Sequence, residues 1–168
     1  MTFSERMRML LRLWKYRLRE ESESIAFMRR QSLLGRTVID VGANKGIYSY
    51  WMSRQVGPRG RVIAFEPQPD LRPHLDDLTQ TFGLVNLQIV GKGLSNRPGT
   101  APMRRDKPGS LGASLEPPTP EEAAWPVSET IDVEVATLDQ FYAAEKLADV
   151  AFIKCDVEGH ELAVFQGG

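Results

Sequence analysis

Three short runs of β-branched and apolar residues constrain the fold of this chain more than any other feature. They are TVIDV at 37–41, RVIAFEP at 61–67 and VAFIKCDVEG at 150–159. Each run is short and apolar on both faces, which is typical of strands buried in a parallel sheet. Helical segments separate them, and NLQIVGKGLS at 86–95 predicts one more strand. The sequence therefore predicts an α/β fold with a doubly wound, Rossmann-like sheet and flanking helices.

The composition fits one folded domain and excludes several classes of site. Of the 168 residues, 42% are hydrophobic and 26% are charged, which suffices for a sizeable core. The net charge of −1 gives no general attraction to nucleic acid, so we expect no nucleic-acid partner. Cys155 is the one cysteine, which excludes an internal disulfide and a four-thiolate zinc site. A cytoplasmic location is consistent with this cysteine content.

Residues 1–36 predict a helical extension that precedes the main domain at 37–168. Within it, residues 3–19 predict a basic amphipathic helix with an apolar stripe at helical spacing. The stripe consists of Phe3, Met7, Leu10, Leu11, Trp14 and Leu18. Two interpretations stay open for this helix. It either packs on the domain or a partner with its basic face solvated, or residues 1–19 contact an anionic membrane surface peripherally.

Residues 98–126 interrupt the alternation of strands and helices. This segment contains seven of the 11 prolines of the chain, and it predicts a long loop. Both a functional lid over a substrate and a plain flexible insertion are consistent with such a loop. Beyond it, TIDVEVATL at 130–138 alternates apolar and polar residues, which predicts a strand with one solvated face.

Three acidic residues follow the predicted strands at their carboxyl ends: Asp40, Glu66 and Asp156. Ligands of doubly wound sheets bind at these ends. Gly42 allows the backbone of the first turn to approach a ligand closely. Glu66 follows Gly42 by 24 residues, which is the position from which an acid typically binds two ribose hydroxyls. The pattern therefore predicts a ligand that contains a ribose.

The first turn, GANKG at 42–46, distinguishes between two ribose-containing cofactors. A dinucleotide-binding turn reads G-x-G-x-x-G, whereas here Asn44 takes the place of the middle glycine. Asp40 would repel a pyrophosphate and attract an ammonium group. S-adenosylmethionine has a ribose and an ammonium group and no phosphate, so the turn favours it over NAD. An NAD-dependent oxidoreductase is the alternative class of enzyme.

Five sequence blocks, taken in order, resemble the FkbM-type methyltransferases. They are VIDVGANKGIYS, VIAFEPQPD, GLSN, TLDQF and FIKCDVEGHELAVFQGG, and together they extend from Thr37 to the last residue. The resemblance implies a class I methyltransferase fold and transfer of a methyl group from S-adenosylmethionine, usually to a hydroxyl oxygen. A small molecule, a sugar or a lipid is then the expected acceptor.

The resemblance also implies roles for particular residues. Those that would line the methionine part of the cofactor follow the first strand: Asp40, Gly42, Asn44 and Gly46. Those that would border the adenine follow the third strand: Gly93, Leu94 and Ser95. Glu66 would hold the ribose, and Asp156 would both contact the cofactor and face the reacting methyl group.

A hydroxyl acceptor must lose its proton, and three residues are candidates for the catalytic base: Asp156, Glu158 and His160. Histidine suits this role by its ordinary pKa near 6.5. His160 is equally consistent with capping of the last helix, and Glu158 and Glu161 with interaction at its N-terminus. We predict no metal site, because Gly159 turns the chain between Glu158 and His160.

The last predicted strand creates a difficulty at the edge of the sheet. In the expected order three, two, one, four, VAFIKC is an edge strand although it is apolar on both faces. We therefore expect a sheet truncated after its fourth strand, or a second copy of the chain that covers this edge. A non-catalytic module that binds a cofactor or a membrane is the remaining functional alternative.

Overall fold

The computed structural model describes residues 3–118 and 129–168. The helices are α1 (Phe3–Lys15), α2 (Ser22–Arg29), α3 (Ile47–Val56), α4 (Arg72–Phe82), α5 (Leu138–Ala144) and α6 (Glu161–Gln166). A π-helical turn follows α1 at Tyr16–Glu20, and a 3-10 turn precedes α4 at Pro69–Leu71. The strands are β1 (Thr37–Val41), β2 (Arg61–Phe65), β3 (Leu87–Val90), β4 (Gly93–Leu94), β5 (Gly99–Arg105), β6 (Glu129–Ala136) and β7 (Val150–Cys155).

Four parallel strands form the main sheet in the order β3-β2-β1-β7. Successive side chains of a strand point to opposite faces of the sheet, so neighbouring residues of the central strands belong to different hydrophobic clusters. Val38 and Val62 pack with α1 to α4 on one face, whereas Ile39 and Ile63 pack with α5 and α6 on the other. This explains why β1 and β2 are apolar on both faces, and it confirms the predicted α/β fold and strand order.

The N-terminal helix shares the core of the domain, although through a different face from the predicted stripe. Leu13 is 1% exposed, and Trp51 Nε1 donates a hydrogen bond to the Leu13 carbonyl at 3.3 Å. The guanidinium groups of Arg6 and Arg17 lie over the rings of Phe82 and Trp51. Arginine stacks on aromatic rings while its stem covers apolar surface, so a face that carries arginine can pack inward.

The predicted stripe is therefore mostly on the outside of the molecule. Leu10 packs against the core, and the other five residues are exposed: Phe3, Met7, Leu11, Trp14 and Leu18. Within the described residues, no helix combines the length and the apolar character that crossing a membrane requires.

A second sheet of three strands, in the order β4-β6-β5, lies beside the main one. The prediction of a loop over 98–126 is wrong for Gly99–Arg105, which pair antiparallel with β6 along their whole length. Pro102 is tolerated because β5 is an edge strand. Residues 106–118, here called the covering segment, contain no helix or strand beyond a single bridge from Ser114 to Arg104. The rest of the predicted loop, including Trp125, falls in 119–128, outside the described residues.

Two leucines of α1 test which face of this helix packs on the domain. We expect Leu13→Ala to lower the free energy of unfolding by about 2–5 kcal/mol, because it leaves a cavity in the core. Leu11→Ala, whose side chain is 63% exposed, should change it by less than about 0.5 kcal/mol. Urea unfolding of both variants measures the difference, and equal losses would contradict the orientation of α1 described above.

Candidate active site

The turn between β1 and α3 brings two strand ends into contact. A Cβ atom at Gly42 would lie 2.1 Å from the main-chain oxygen of Asp156, so a side chain at this position would push the end of β7 away. Gly42 and Asn44 have φ values of 75° and 46°, in the left-handed region that glycine and asparagine tolerate best. The local sequence thus sets the close approach of β1 and β7 at their carboxyl ends.

Glu66 follows β2 and is 5% exposed. Its Oε2 accepts a hydrogen bond from the Asn44 amide at 2.8 Å, and its Oε1 accepts one from the Gln68 amide at 2.9 Å. Burial raises the pKa of Glu66, the two amides act in the opposite direction, and nearby Asp40 raises it further. Each carboxylate oxygen has two lone pairs, so Glu66 can still accept bonds from two hydroxyl groups.

A cavity lies beside Glu66, between the strand ends and the covering segment. Its apolar wall includes Phe65, Leu94, Met103 and Leu115, and its polar groups include Asn44, Glu66, Gln68, Asp156 and Glu158. Two buried acceptors of this lining, Asn44 Oδ1 and Gln68 Oε1, have no hydrogen-bond partner within the described residues. A buried carboxylate, unsatisfied acceptors and an apolar wall together suit a ligand with hydroxyl or amino donors and a flat apolar part.

The covering segment closes this cavity through a few polar contacts. The Ser110 carbonyl accepts hydrogen bonds from Asn44 Nδ2 at 3.1 Å and from Gln68 Nε2 at 3.0 Å. Leu111 and Leu115 line the cavity, which encloses about 100 Å³. Sites for small molecules typically measure roughly 300–1,000 Å³. The enclosed volume is therefore smaller than that of a typical small-molecule site.

Asp40 has a structural position behind the turn. It is 0% exposed, its Oδ2 accepts from the Ser49 hydroxyl at 2.6 Å, and Lys154 Nζ lies 3.4 Å from its Oδ1. Lys154 also donates to the carbonyls of Val41 and Gly42, at 3.3 and 2.9 Å. The ion pair thereby links β1, α3 and β7, and Asp40 supports the cavity from outside instead of lining it.

The acids after β7 lie at the mouth of the cavity. The Asp156 side chain is 66% exposed, and its Oδ2 lies 3.7 Å from Lys154 Nζ. Glu158 has a φ of 54°, which places it on a tight turn at the strand end. Burial, followed by the charges of Asp156 and Glu161, raises the pKa of Glu158. Glu161 stabilises the turn before α6, because its Oε1 accepts hydrogen bonds from the amides of Val157 and Gly159.

His160 is engaged on both sides of its ring. Nδ1 lies 2.5 Å from Glu116 Oε1, and Nε2 lies 3.0 Å from Ser95 Oγ. A carboxylate only accepts, so Nδ1 donates to Glu116, and Nε2 lies within hydrogen-bond distance of the Ser95 hydroxyl. His160 makes no side-chain cap to α6, and the ring fastens the covering segment to the strand ends.

The structure thus separates the predicted site residues into two groups. Those that line the cavity are Gly42, Asn44, Glu66, Gly93, Leu94, Asp156 and Glu158. The others lie outside its lining: Asp40, Gly46, Ser95 and His160. Gly46 faces α4, where a Cβ atom would lie 2.5 Å from Leu78 Cδ2, so packing explains this glycine.

Sequence reasoning missed Gln68, Lys154 and Glu116. Lys154 could have been found from the sequence, because a lysine within an otherwise apolar predicted strand indicates an anionic partner. Gln68 follows Glu66 by two residues, within reach of local hydrogen bonds. Glu116 is 44 residues from His160 along the chain, and no local pattern links the two.

Comparison with known protein families identifies the domain that contains this site. Residues 40–168 match the family model described as the Methyltransferase FkbM domain. The chain belongs to this family. The FkbM resemblance of the five sequence blocks is thereby confirmed over most of the chain.

Individual relatives match parts of this FkbM domain. Hexuronic acid methyltransferase AglP from Haloferax volcanii is 30% identical over 161 residues, which are 92% of this chain and 59% of the relative. Protein-L-isoaspartate O-methyltransferase from Aeropyrum pernix is 37% identical over 89 residues, 51% of this chain and 33% of the relative. A crystal structure of an FkbM methyltransferase from Methylobacillus flagellatus superposes with a TM-score of 0.49 at 19% identity, and it covers 79% of this chain and 28% of that one.

Two glycines with the same backbone conformation test the contact between β1 and β7 in the FkbM domain. Gly42 and Gly35 both have φ near 75°, but a Cβ atom at Gly35 has no neighbour within 4 Å. Alanine at either position therefore incurs the same cost of left-handed backbone. We expect Gly42→Ala to destabilise by about 1–3 kcal/mol more than Gly35→Ala, because of its overlap with Asp156. Urea unfolding measures both, and equal costs would contradict the close approach.

Proposed function

We propose that this FkbM domain binds S-adenosylmethionine and transfers a methyl group to an oxygen of a small molecule or a sugar. The observation that carries the proposal is the buried Glu66 carboxylate beside a partly apolar cavity, held by the amides of Asn44 and Gln68. The chain spans 59% of the hexuronic acid methyltransferase and 33% of the isoaspartate methyltransferase. Because it matches only part of each relative, we propose the activity of the whole protein as well as the cofactor.

The lining residues fit the parts of this cofactor. Glu66 would accept the two ribose hydroxyls, and Phe65, Leu94 and Met103 would contact the adenine. Asn44 Oδ1, a buried acceptor without a partner in the described residues, suits the ammonium group of the methionine part. When bound, the cofactor supplies a methyl group on a positively charged sulfur. Asp156 lies at the cavity mouth, where its negative charge would favour that cation.

Glu158 is our candidate for the base that removes the proton of the acceptor. It lines both the cavity and an open groove between α1 and the turn at 42–46. Its raised pKa moves it toward the range in which a base is effective near neutral pH. His160 is disfavoured for this role, since both nitrogens of its ring have partners and the ring does not line the cavity.

The backbone of the turn favours this cofactor over NAD. A pyrophosphate binds to free amide groups at such a turn. Here Gly42 and Ala43 donate their amides to the Phe65 carbonyl, and Asn44 donates its amide to Glu66. The amides on which a dinucleotide would depend are therefore occupied by the protein.

An anionic sugar is the acceptor that we favour, with the reaction in the cytoplasm. Arg12, Lys15 and Lys45 line the groove that reaches Asp156 and Glu158. Lys15 pairs with Glu20, which leaves Arg12 and Lys45 as the better candidates for binding a carboxylate of the acceptor. The relative AglP is named as a methyltransferase of hexuronic acid, which agrees with this choice.

Calorimetric titration of the chain with S-adenosylhomocysteine, and separately with NAD, tests the cofactor. We expect binding of the first only, and we expect Glu66→Gln to weaken it by roughly 10- to 100-fold, since hydrogen bonds to a charged group contribute about 1.5–3 kcal/mol. Glu134→Gln, an exposed carboxylate on the small sheet, is the matched control and should bind as wild type does. Binding of NAD alone would overturn the proposal.

Methyl transfer to glucuronic acid, followed with radiolabelled cofactor, tests the base. We expect Glu158→Gln to lower kcat by roughly 100-fold or more while the affinity for S-adenosylhomocysteine stays unchanged. A base must be deprotonated, and its pKa lies above the ordinary 4.5, so the wild-type rate should fall on acidification from a higher pH than for an ordinary glutamate. The assignment would be contradicted if His160→Gln lost as much activity as Glu158→Gln and its remaining rate no longer fell on acidification. Glucose serves as the uncharged control acceptor.

A further inference from the structure

The outward side of α1 and of the π-helical turn after it carries an apolar surface that the domain leaves largely uncovered, although Trp14 makes an edge-to-face contact with Trp51. Its members, here called the exposed stripe, are Phe3 (79% exposed), Met7 (42%), Leu11 (63%), Trp14 (44%) and Leu18 (64%). Single exposed apolar residues are common on proteins, but five together at helical spacing require an explanation. The inward contacts of Leu13 with the core show that this helix is docked on the domain while the stripe faces outward.

A row of cationic side chains runs beside the exposed stripe. Each member follows a stripe residue by one position: Arg8, Arg12, Lys15 and Arg19. All four are exposed, and among the residues described here no ion pair engages Arg8, Arg12 or Arg19. Residues 3–20 contain six cationic and two acidic side chains, although the whole chain has a net charge of −1. Positive charge is thus concentrated on this one helix.

An apolar stripe flanked by cationic groups has the surface chemistry of a helix that lies in the interface of an anionic bilayer. Phe3, Leu11 and Leu18 would enter the boundary between headgroups and acyl chains, and Trp14 suits this depth because its ring is amphipathic. Arg8 and Arg19, which do not line the groove, would meet lipid phosphates. We propose that α1 and the turn after it dock this domain onto an anionic lipid surface.

This docking is independent of the reaction proposed above, but it would orient the site. Leu11, Arg12 and Lys15 also border the groove that leads to Asp156 and Glu158. A bilayer in contact with the outward side of α1 would therefore lie next to the mouth of that groove. An acceptor held at the membrane surface would then reach the acids after β7 over a short distance.

Vesicle sedimentation of the full chain tests the proposal. We expect binding to vesicles of equal parts phosphatidylglycerol and phosphatidylcholine, and at least tenfold weaker binding to phosphatidylcholine alone. Binding to the anionic vesicles should be weaker at 1 M salt than at 0.1 M, because the screening length falls from about 10 Å to about 3 Å. Equal binding to both types of vesicle, or none to either, would overturn the proposal.

Two pairs of variants separate the stripe from the basic row. Met7→Glu with Leu18→Glu should reduce binding at least tenfold, whereas Val85→Glu, at an apolar residue 88% exposed between α4 and β3, should not. Arg8→Gln with Arg19→Gln should reduce binding by roughly 25-fold, since each cation near an anionic surface contributes about fivefold. Arg59→Gln with Arg97→Gln, two exposed arginines elsewhere, is the matched control. Control variants that lose as much binding would overturn the assignment of the surface.

Further measurements test whether these variants still fold and bind the cofactor, and whether lipid or a second copy of the chain covers the exposed stripe. None of Met7, Leu18, Arg8 and Arg19 lines the cavity or the groove, so these variants should keep the wild-type affinity for S-adenosylhomocysteine and the wild-type unfolding midpoint. The fluorescence of Trp14 should shift to the blue on anionic vesicles, and Trp14→Phe should lose that shift. A dimer in solution that Met7→Glu with Leu18→Glu dissociates would show that a second copy covers the stripe, and would overturn the membrane proposal.

Discussion

The buried ion pair between Asp40 and Lys154 is the interaction on which the arrangement of the site depends. A fully buried carboxylate is costly unless it is paired and hydrogen-bonded. Asp40 meets that requirement with the Ser49 hydroxyl on α3 and the Lys154 ammonium on β7. Because Lys154 also binds the carbonyls of Val41 and Gly42, the pair fixes the end of β7 against the first turn. Asp156, two residues further along, is thereby held at the mouth of the cavity.

Two acids at neighbouring strand ends acquire different properties from this arrangement. Asp40 has a cation beside it and a hydroxyl donor, and it serves the scaffold. Glu66 has neutral amide partners, so burial dominates and its pKa is raised. Glu66, held by amides, keeps lone pairs for a ligand, whereas Asp40 accepts from Ser49 at Oδ2 and lies 3.4 Å from Lys154 through Oδ1, which has no hydrogen-bond partner within the described residues. The two carboxylates thus differ in their surroundings, because Lys154 lies beside Asp40 whereas two backbone amides hold Glu66.

The sequence predicted the features that depend on local pattern. Apolar runs separated by helical segments predicted a doubly wound sheet with its expected strand order, and the acids at strand ends predicted Glu66 and Asp156 as residues beside one cavity. Features that depend on contacts between distant segments were not predictable. Arg17, in the turn after α1, packs inward by stacking on Trp51, β5 forms despite Pro102, and His160 contacts Glu116, which is 44 residues away along the chain. In each case a partner from another element outweighs the local preference.

The orientation of α1 follows from the same competition and links the fold to its surroundings. A helix with a single apolar stripe would bury that stripe against the domain. Here the buried side is supplied by Leu13, with Arg6 and Arg17 lying over aromatic rings, so the stripe of Phe3, Leu11 and Leu18 remains outside. The N-terminal segment therefore has one side that packs on the core and one apolar side that is exposed. Leu11, Arg12 and Lys15 of α1 also line the groove that reaches Asp156 and Glu158, so a partner bound on the outward side of α1 would lie beside that groove.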